Sequence, residues 1–88
     1  MCRNIRVLHN FQPPTTPDEI RAAALQYVRK VSGLAKPPQA DVAAFDAAID
    51  AVTAATTTLL ESLTSRGTVR TREGERDKAQ RRWQMRKM

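Results

Sequence analysis

One cysteine, one histidine, three glycines and four aromatic residues are all that this chain of 88 residues offers of the usual raw material of active sites. A single cysteine excludes an internal disulfide, the common staple of small secreted domains. A single histidine gives no basis for a Ser/His/Asp set. The glycines, at positions 33, 67 and 74, make neither a phosphate loop nor a dinucleotide fingerprint. With no CxxC or HxxxH spacing, a closed structural zinc site within one chain is also excluded. Eighteen apolar residues never run together, so no transmembrane segment is expected. Met1-Cys2-Arg3-Asn4 is followed by no signal-peptide core. The expectation is a non-enzymatic protein of a reducing, cytoplasmic compartment that uses no cofactor.

The charge that is present is distributed unevenly. Residues 1–64 carry six Lys/Arg and six Asp/Glu, whereas residues 65–88 carry nine and three. The C-terminal segment therefore supplies the whole net charge of +6, and a partner of opposite sign is the first functional expectation.

The length allows one small domain. Met1 to Leu63 contains seventeen large apolar residues other than methionine. A core that small makes self-association, which covers helix faces twice over, a natural expectation. Residues 1–12 read as an arm laid across helices with Ile5, Leu8 and Phe11 inward, because a lone strand cannot stand without a partner. Thr16-Pro17-Asp18-Glu19 has a capping hydroxyl, proline at the first helical position and glutamate three residues after the cap. From there Ile20, Ala23, Ala24, Tyr27, Val28, Val31 and Leu34 recur at three and four residues, which predicts a helix over about 17–32 ended by Gly33.

After Lys36-Pro37-Pro38 a second helix is expected over about 40–65. Its stripe is Val42, Phe45, Ile49, Val52, Thr56, Leu59, Leu60 and Leu63, with Asp46, Asp50, Thr53, Thr57 and Glu61 on the opposite flank. Two stripes joined by a short proline-containing loop describe an all-α fold, an antiparallel two-helix hairpin with a packed N-terminal arm. This gives a helical domain over 1–66 and a basic tail over 67–88. The tail has too little apolar content to pack and is expected to be flexible, although Arg72 to Lys87 could form helix against a partner.

The opening Met-Cys-Arg-Asn-Ile-Arg, with Leu8 and Pro13-Pro14-Thr15, is one distinctive run. Another is Glu19-Ile20-Arg21-Ala22-Ala23-Ala24-Leu25-Gln26-Tyr27-Val28-Arg29-Lys30-Val31-Ser32-Gly33. Together with Ala44-Phe45 and Leu59-Leu60-Glu61-Ser62-Leu63, they resemble a family of short, uncharacterised bacterial proteins, a domain of unknown function. The resemblance covers about residues 1–64. It implies a bacterial origin and a compact helical unit, and it brings no reaction, ligand or catalytic residue.

Among candidate sites, the tail is the best suited to a partner. Arg70, Arg72, Arg76, Lys78, Arg81, Arg82, Arg86 and Lys87 could contact the phosphates of RNA or DNA, and Trp83 could stack on a base. The same residues suit an anionic membrane surface less well, since Ala79, Trp83 and Met85 make a poor apolar stripe. The leading expectation is an accessory protein that binds nucleic acid or a ribonucleoprotein through this tail. An alternative is a protein–protein or homo-oligomeric module that docks through its helix faces. More distantly, removal of Met1 would leave the amine and thiol of Cys2 free to chelate a soft metal with His9, or to act as a nucleophile beside Arg3. Asp46 and Asp50 share a helix flank that reads as solvated surface. Arg3, Arg6, Arg21, Arg29 and Lys30 could form a second positive patch.

Overall fold

The structure, a computed structural model, describes residues 4–87, with the side chain of Lys87 excepted. Three helices follow one another: α1 (Pro17–Ser32), α2 (Val42–Ser62), preceded by a single 3-10 turn at Gln39–Asp41, and α3 (Arg72–Lys87). Among the described residues there is no strand, and the helical-hairpin architecture expected for α1 and α2 is present.

The start of α1 is made by local chemistry. The Thr16 hydroxyl accepts the Glu19 amide (3.2 Å), and the Glu19 carboxylate accepts the Thr16 amide in return (2.9 Å). Two amides left over by the first helical turn are thereby satisfied. Asp18 and Glu19 place negative charge at the N-terminus, and Arg29 and Lys30 place positive charge in the last turn. Gly33 closes the helix at φ 75° with its amide on the Arg29 carbonyl (3.0 Å). That left-handed conformation is one in which a Cβ would be strained.

The hairpin core consists of Ala24 and Val28 of α1 against Phe45 and Ile49 of α2, with Leu25, Leu34 and Val52 packed at its edge. Leu8 and Phe11 of the arm and Ile20 complete the buried apolar set. Arg21 and Asp50 tie the two helices at the surface (2.8 Å).

The predicted stripes are wider than the faces that are covered. Ile5, Tyr27, Val31, Val42, Leu59 and Leu63 were expected inward and are exposed. At its C-terminal end α2 outruns the shorter α1, and there Thr57 and Leu60 line a cavity with Leu8 and Phe11 of the arm while Leu59 and Leu63 are exposed. Thr53 and Thr57, expected on the solvent flank, are half-buried. Their hydroxyls donate to the carbonyls of Ile49 (2.7 Å) and Thr53 (2.8 Å), so neither carries an unsatisfied polar group inward. The helix also stops at Ser62, short of Ser65, because Leu63 turns to extended backbone (φ −76°, ψ 141°).

Residues 72–87, read as a flexible tail that could become helical against a partner, form α3. The Thr71 hydroxyl accepts the Gly74 amide (3.0 Å) and so caps the helix. Glu73 and Glu75 sit in its first turn, and the cations that follow suit the C-terminal end of the dipole. Among the described residues α3 does not lie along α1 or α2 and reaches α1 through the Arg72 side chain at its start. The Cα radius of gyration is accordingly 15.4 Å, against about 12 Å for a compact chain of this length.

Candidate nucleic-acid interface

The arm and the segment before α3 are fastened together, and this sets where α3 leaves the body. The Arg70 amide donates to the Asn10 carbonyl (2.8 Å), and the Gln12 amide donates to the Arg70 carbonyl (2.9 Å). These bonds form an isolated parallel bridge between Phe11 and Arg70. Asn10 lies in the left-handed region (φ 64°), which asparagine tolerates better than most residues. Its side-chain amide donates to the carbonyls of Arg66 (3.2 Å) and Thr68 (3.4 Å). His9 points Nε2 at the Thr64 carbonyl (3.3 Å), a packing role that a protonated Nε2 satisfies.

Arg72 completes the fastening. Its guanidinium grips Glu19 with two parallel bonds, Nε to Oε2 at 3.0 Å and Nη2 to Oε1 at 2.7 Å. It also donates to the carbonyls of Pro13 (2.9 Å) and Pro14 (3.1 Å) and lies 5.5 Å from the Phe11 ring centroid. Arg6 adds a third contact to Glu19 (3.2 Å). Bidentate arginine–carboxylate pairs are the strong members of their class. The Arg72 hydrogen bonds and then the Thr16 amide hold the Glu19 carboxyl down, from 4.5 to about 2. In return, Glu19 raises the Arg72 pKa.

The nine residues proposed for the tail therefore separate into two groups. Arg70 donates to the His9 carbonyl (2.8 Å), and Arg72 donates to Glu19, Pro13 and Pro14, so both guanidinium groups already serve the fold. Arg76, Lys78, Arg81, Arg82 and Arg86 lie exposed on α3. Of these, Lys78 pairs with Glu75 one turn back (3.2 Å). Lys87 ends the helix, and Trp83 is 55 % exposed between Arg82 and Gln84.

Of the second positive patch, Arg6 is paired with Glu19 and Arg21 with Asp50, while Arg29 and Lys30 lie exposed at the end of α1. The bond to Arg21 also removes Asp50 from any carboxylate pair with Asp46. Cys2 and Arg3 lie outside the described residues, and so does the chemistry suggested for them. Among the described residues no three His, Cys, Asp or Glu side chains come together as a metal site.

Sequence reasoning missed the Glu19–Arg72 clamp. Glu19 was read only as the third residue of a capping box, and nothing local announces a second partner 53 residues away. The cap at the start of α3 was not read from the sequence either, although Thr71 followed by two glutamates is a local signal that could have found it.

Comparison with known proteins assigns the chain to a family. The family described as uncharacterized conserved protein (DUF2277) matches residues 1–78, and the chain belongs to it. The matched region extends past the resemblance over 1–64. It takes in Arg70, Arg72 and the first two turns of α3, while residues 79–88 lie beyond it. No curated protein and no solved structure matches.

Proposed function

We propose that this family member is a small, non-enzymatic accessory protein of the bacterial cytoplasm that binds nucleic acid, free or in a ribonucleoprotein, through the distal half of α3. The observation that carries the reading is the charge and position of that half-helix. From Lys78 to Lys87 there are five cations and no carboxylate, on about 15 Å of helix. The body holds the start of α3 through Arg70 and Arg72, and among the described residues no other helix packs along the rest of it. Trp83 lies among the cations and is 55 % exposed, and stacking of a tryptophan on a base is a contact that tolerates any sequence.

The segment carries no base-reading motif, so phosphate contacts dominate and the binding follows salt. If Arg81, Arg82, Arg86 and Lys87 each meet a phosphate of single-stranded RNA, the logarithmic salt slope is about −3, a loss of about 50-fold in affinity between 50 and 200 mM salt. The test is titration of a fluorescent oligoribonucleotide at those two salt concentrations. The wild-type chain is compared with a variant in which these four residues are glutamine. The variant is expected to lose both the affinity and the salt dependence. Binding that ignores salt, or that survives the four substitutions, refutes the proposal. Because these residues lie past the matched region, the proposal is made for this chain and not for the family as a whole.

The exposed outer surface of α2 favours a second reading, a module that docks through helix faces. The two readings use different surfaces and are compatible.

A further inference from the structure

Where α2 outruns α1, the arm supplies the second wall, and a cavity of about 520 Å³ is left between them. That volume falls among small-molecule pockets, which span about 300–1,000 Å³. Leu8, Phe11 and Ile20, all buried, line it together with Leu60 and Val69, so its surface is largely apolar. The arm is held by bonds outside the cavity, the bridge from Phe11 to Arg70 and the Arg72 clamp beside the Phe11 ring. All of the lining lies between positions 8 and 69, inside the matched region, whereas the basic half of α3 extends past it.

The polar side chains of the lining already donate to the protein's own carbonyls. The Thr15 hydroxyl donates to Leu8, the Thr57 hydroxyl to Thr53 (2.8 Å), and the Asn10 amide to Arg66 and Thr68. A carbonyl only accepts, so His9 carries its proton on Nε2, against Thr64 (3.3 Å), and the neutral ring keeps its lone pair on Nδ1. Glu61 is the one charged residue of the lining, and it has no ion pair among the described residues. What a ligand meets is therefore an apolar surface with acceptors, Glu61, His9 Nδ1 and Asn10 Oδ1. Among the described residues only the Gln12 and Ser65 side chains of the lining keep an unused donor.

We propose that this cavity binds a small primary amine with an apolar body. The ammonium group brings the donors that the lining lacks and the positive charge that Glu61 calls for, while the body lies against Leu8, Phe11 and Leu60. The inference goes beyond nucleic-acid binding and does not depend on it. A carboxylate of the same shape would face the like charge of Glu61, and a phosphate would find no cation in the lining. A metal ion would find one carboxylate and one imidazole, too few to hold it. The net charge of +6 comes from residues 65–88, of which only Ser65 and Val69 line the cavity. Arg70 and Arg72, which follow them, are paired with Glu75 and Glu19. Physiological salt screens exposed cations farther than about 8 Å away.

The experiment is an NMR titration of the isotope-labelled full chain at pH 7 with 2-phenylethylamine. Parallel titrations use 2-phenylethanol and 3-phenylpropanoate, which keep the body and change the head group. Dissociation constants on the order of 1 mM are expected for probes of this size. The amine should saturate shifts at the amides of Leu8, Phe11, Leu60 and Val69. It should bind about threefold more tightly than the alcohol, as an exposed ion pair allows, and the carboxylate should bind most weakly. Glu61→Gln should bring the amine down to the affinity of the alcohol. Glu61 is exposed, so the variant is expected to keep its helices, which circular dichroism checks. Shifts that do not saturate, or that centre outside the lining, overturn the proposal. So does an alcohol or carboxylate that binds as tightly as the amine, or an amine indifferent to Glu61→Gln.

Discussion

Replacing Glu19 with glutamine tests how the basic helix is fastened to the body. Glutamine keeps the length of the side chain and still completes a capping box, so the substitution removes the charge without removing the cap. In the wild type the carboxyl is held from 4.5 down to about 2, chiefly by Arg72 and then by Thr16. At 1.36 kcal/mol per pKa unit this corresponds to about 3 kcal/mol. The side chains of Glu19 and Arg72 are 19 % and 31 % exposed, and solvent screening reduces the figure to about 1–2 kcal/mol. A folded-state pKa below the unfolded one stabilises the fold fully above the unfolded value of about 4.5, and the stabilisation is lost as pH falls toward 2. Glu19→Gln is therefore expected to lower the melting temperature at pH 7 by about 5–10 °C. The gap to wild type should narrow below pH 4.5 and close near pH 2. Thermal melts followed by circular dichroism across that range measure both effects. Equal stability at pH 7, or a gap that does not change with pH, would show that the clamp contributes nothing.

Other substitutions probe the rest of the fold. Phe45→Ala removes the largest side chain from a four-residue core cluster and is expected to cost about 3 kcal/mol or more. In so small a domain that should abolish a cooperative melt, and a melting temperature within a few degrees of wild type would contradict the core described. Gly33→Ala puts a Cβ on backbone at φ 75° and should cost about 1 kcal/mol in urea denaturation, although nothing crowds the added carbon in space. No loss there would mean that α1 ends in some other way.

The features legible in the sequence were those set by neighbours in the chain. Thr16, Pro17 and Glu19 define the start of α1 within four residues, and Gly33 marks its end by the same local logic. The apolar periodicity placed Phe45, Ile49, Ala24 and Val28 inward because one contact line between two helices is enough to bury them. It placed Leu59, Leu63 and Val31 inward as well, since periodicity gives a direction and not the length of the neighbour that must cover it.

The candidate interface was legible as charge and opaque as structure. Nine cations in 24 residues are visible at once, but which of them are engaged depends on distant partners. Arg70 meets His9 and Arg72 meets Glu19 across more than fifty residues. The sequence offered a reason for helix over Arg72 to Lys87 only against a partner; the local supports that the structure adds are the Thr71 cap and the clamp at Arg72.

The account depends on α3 leaving the body as an ordered helix anchored at Arg72. Amide hydrogen exchange on the free, full-length chain tests this directly. The predicted result is protection through the first turns of α3 that falls away toward Lys87, and that is lost in Arg72→Ala while α1 and α2 remain protected. Exchange at the unstructured rate from residue 72 onward in the wild type would contradict it.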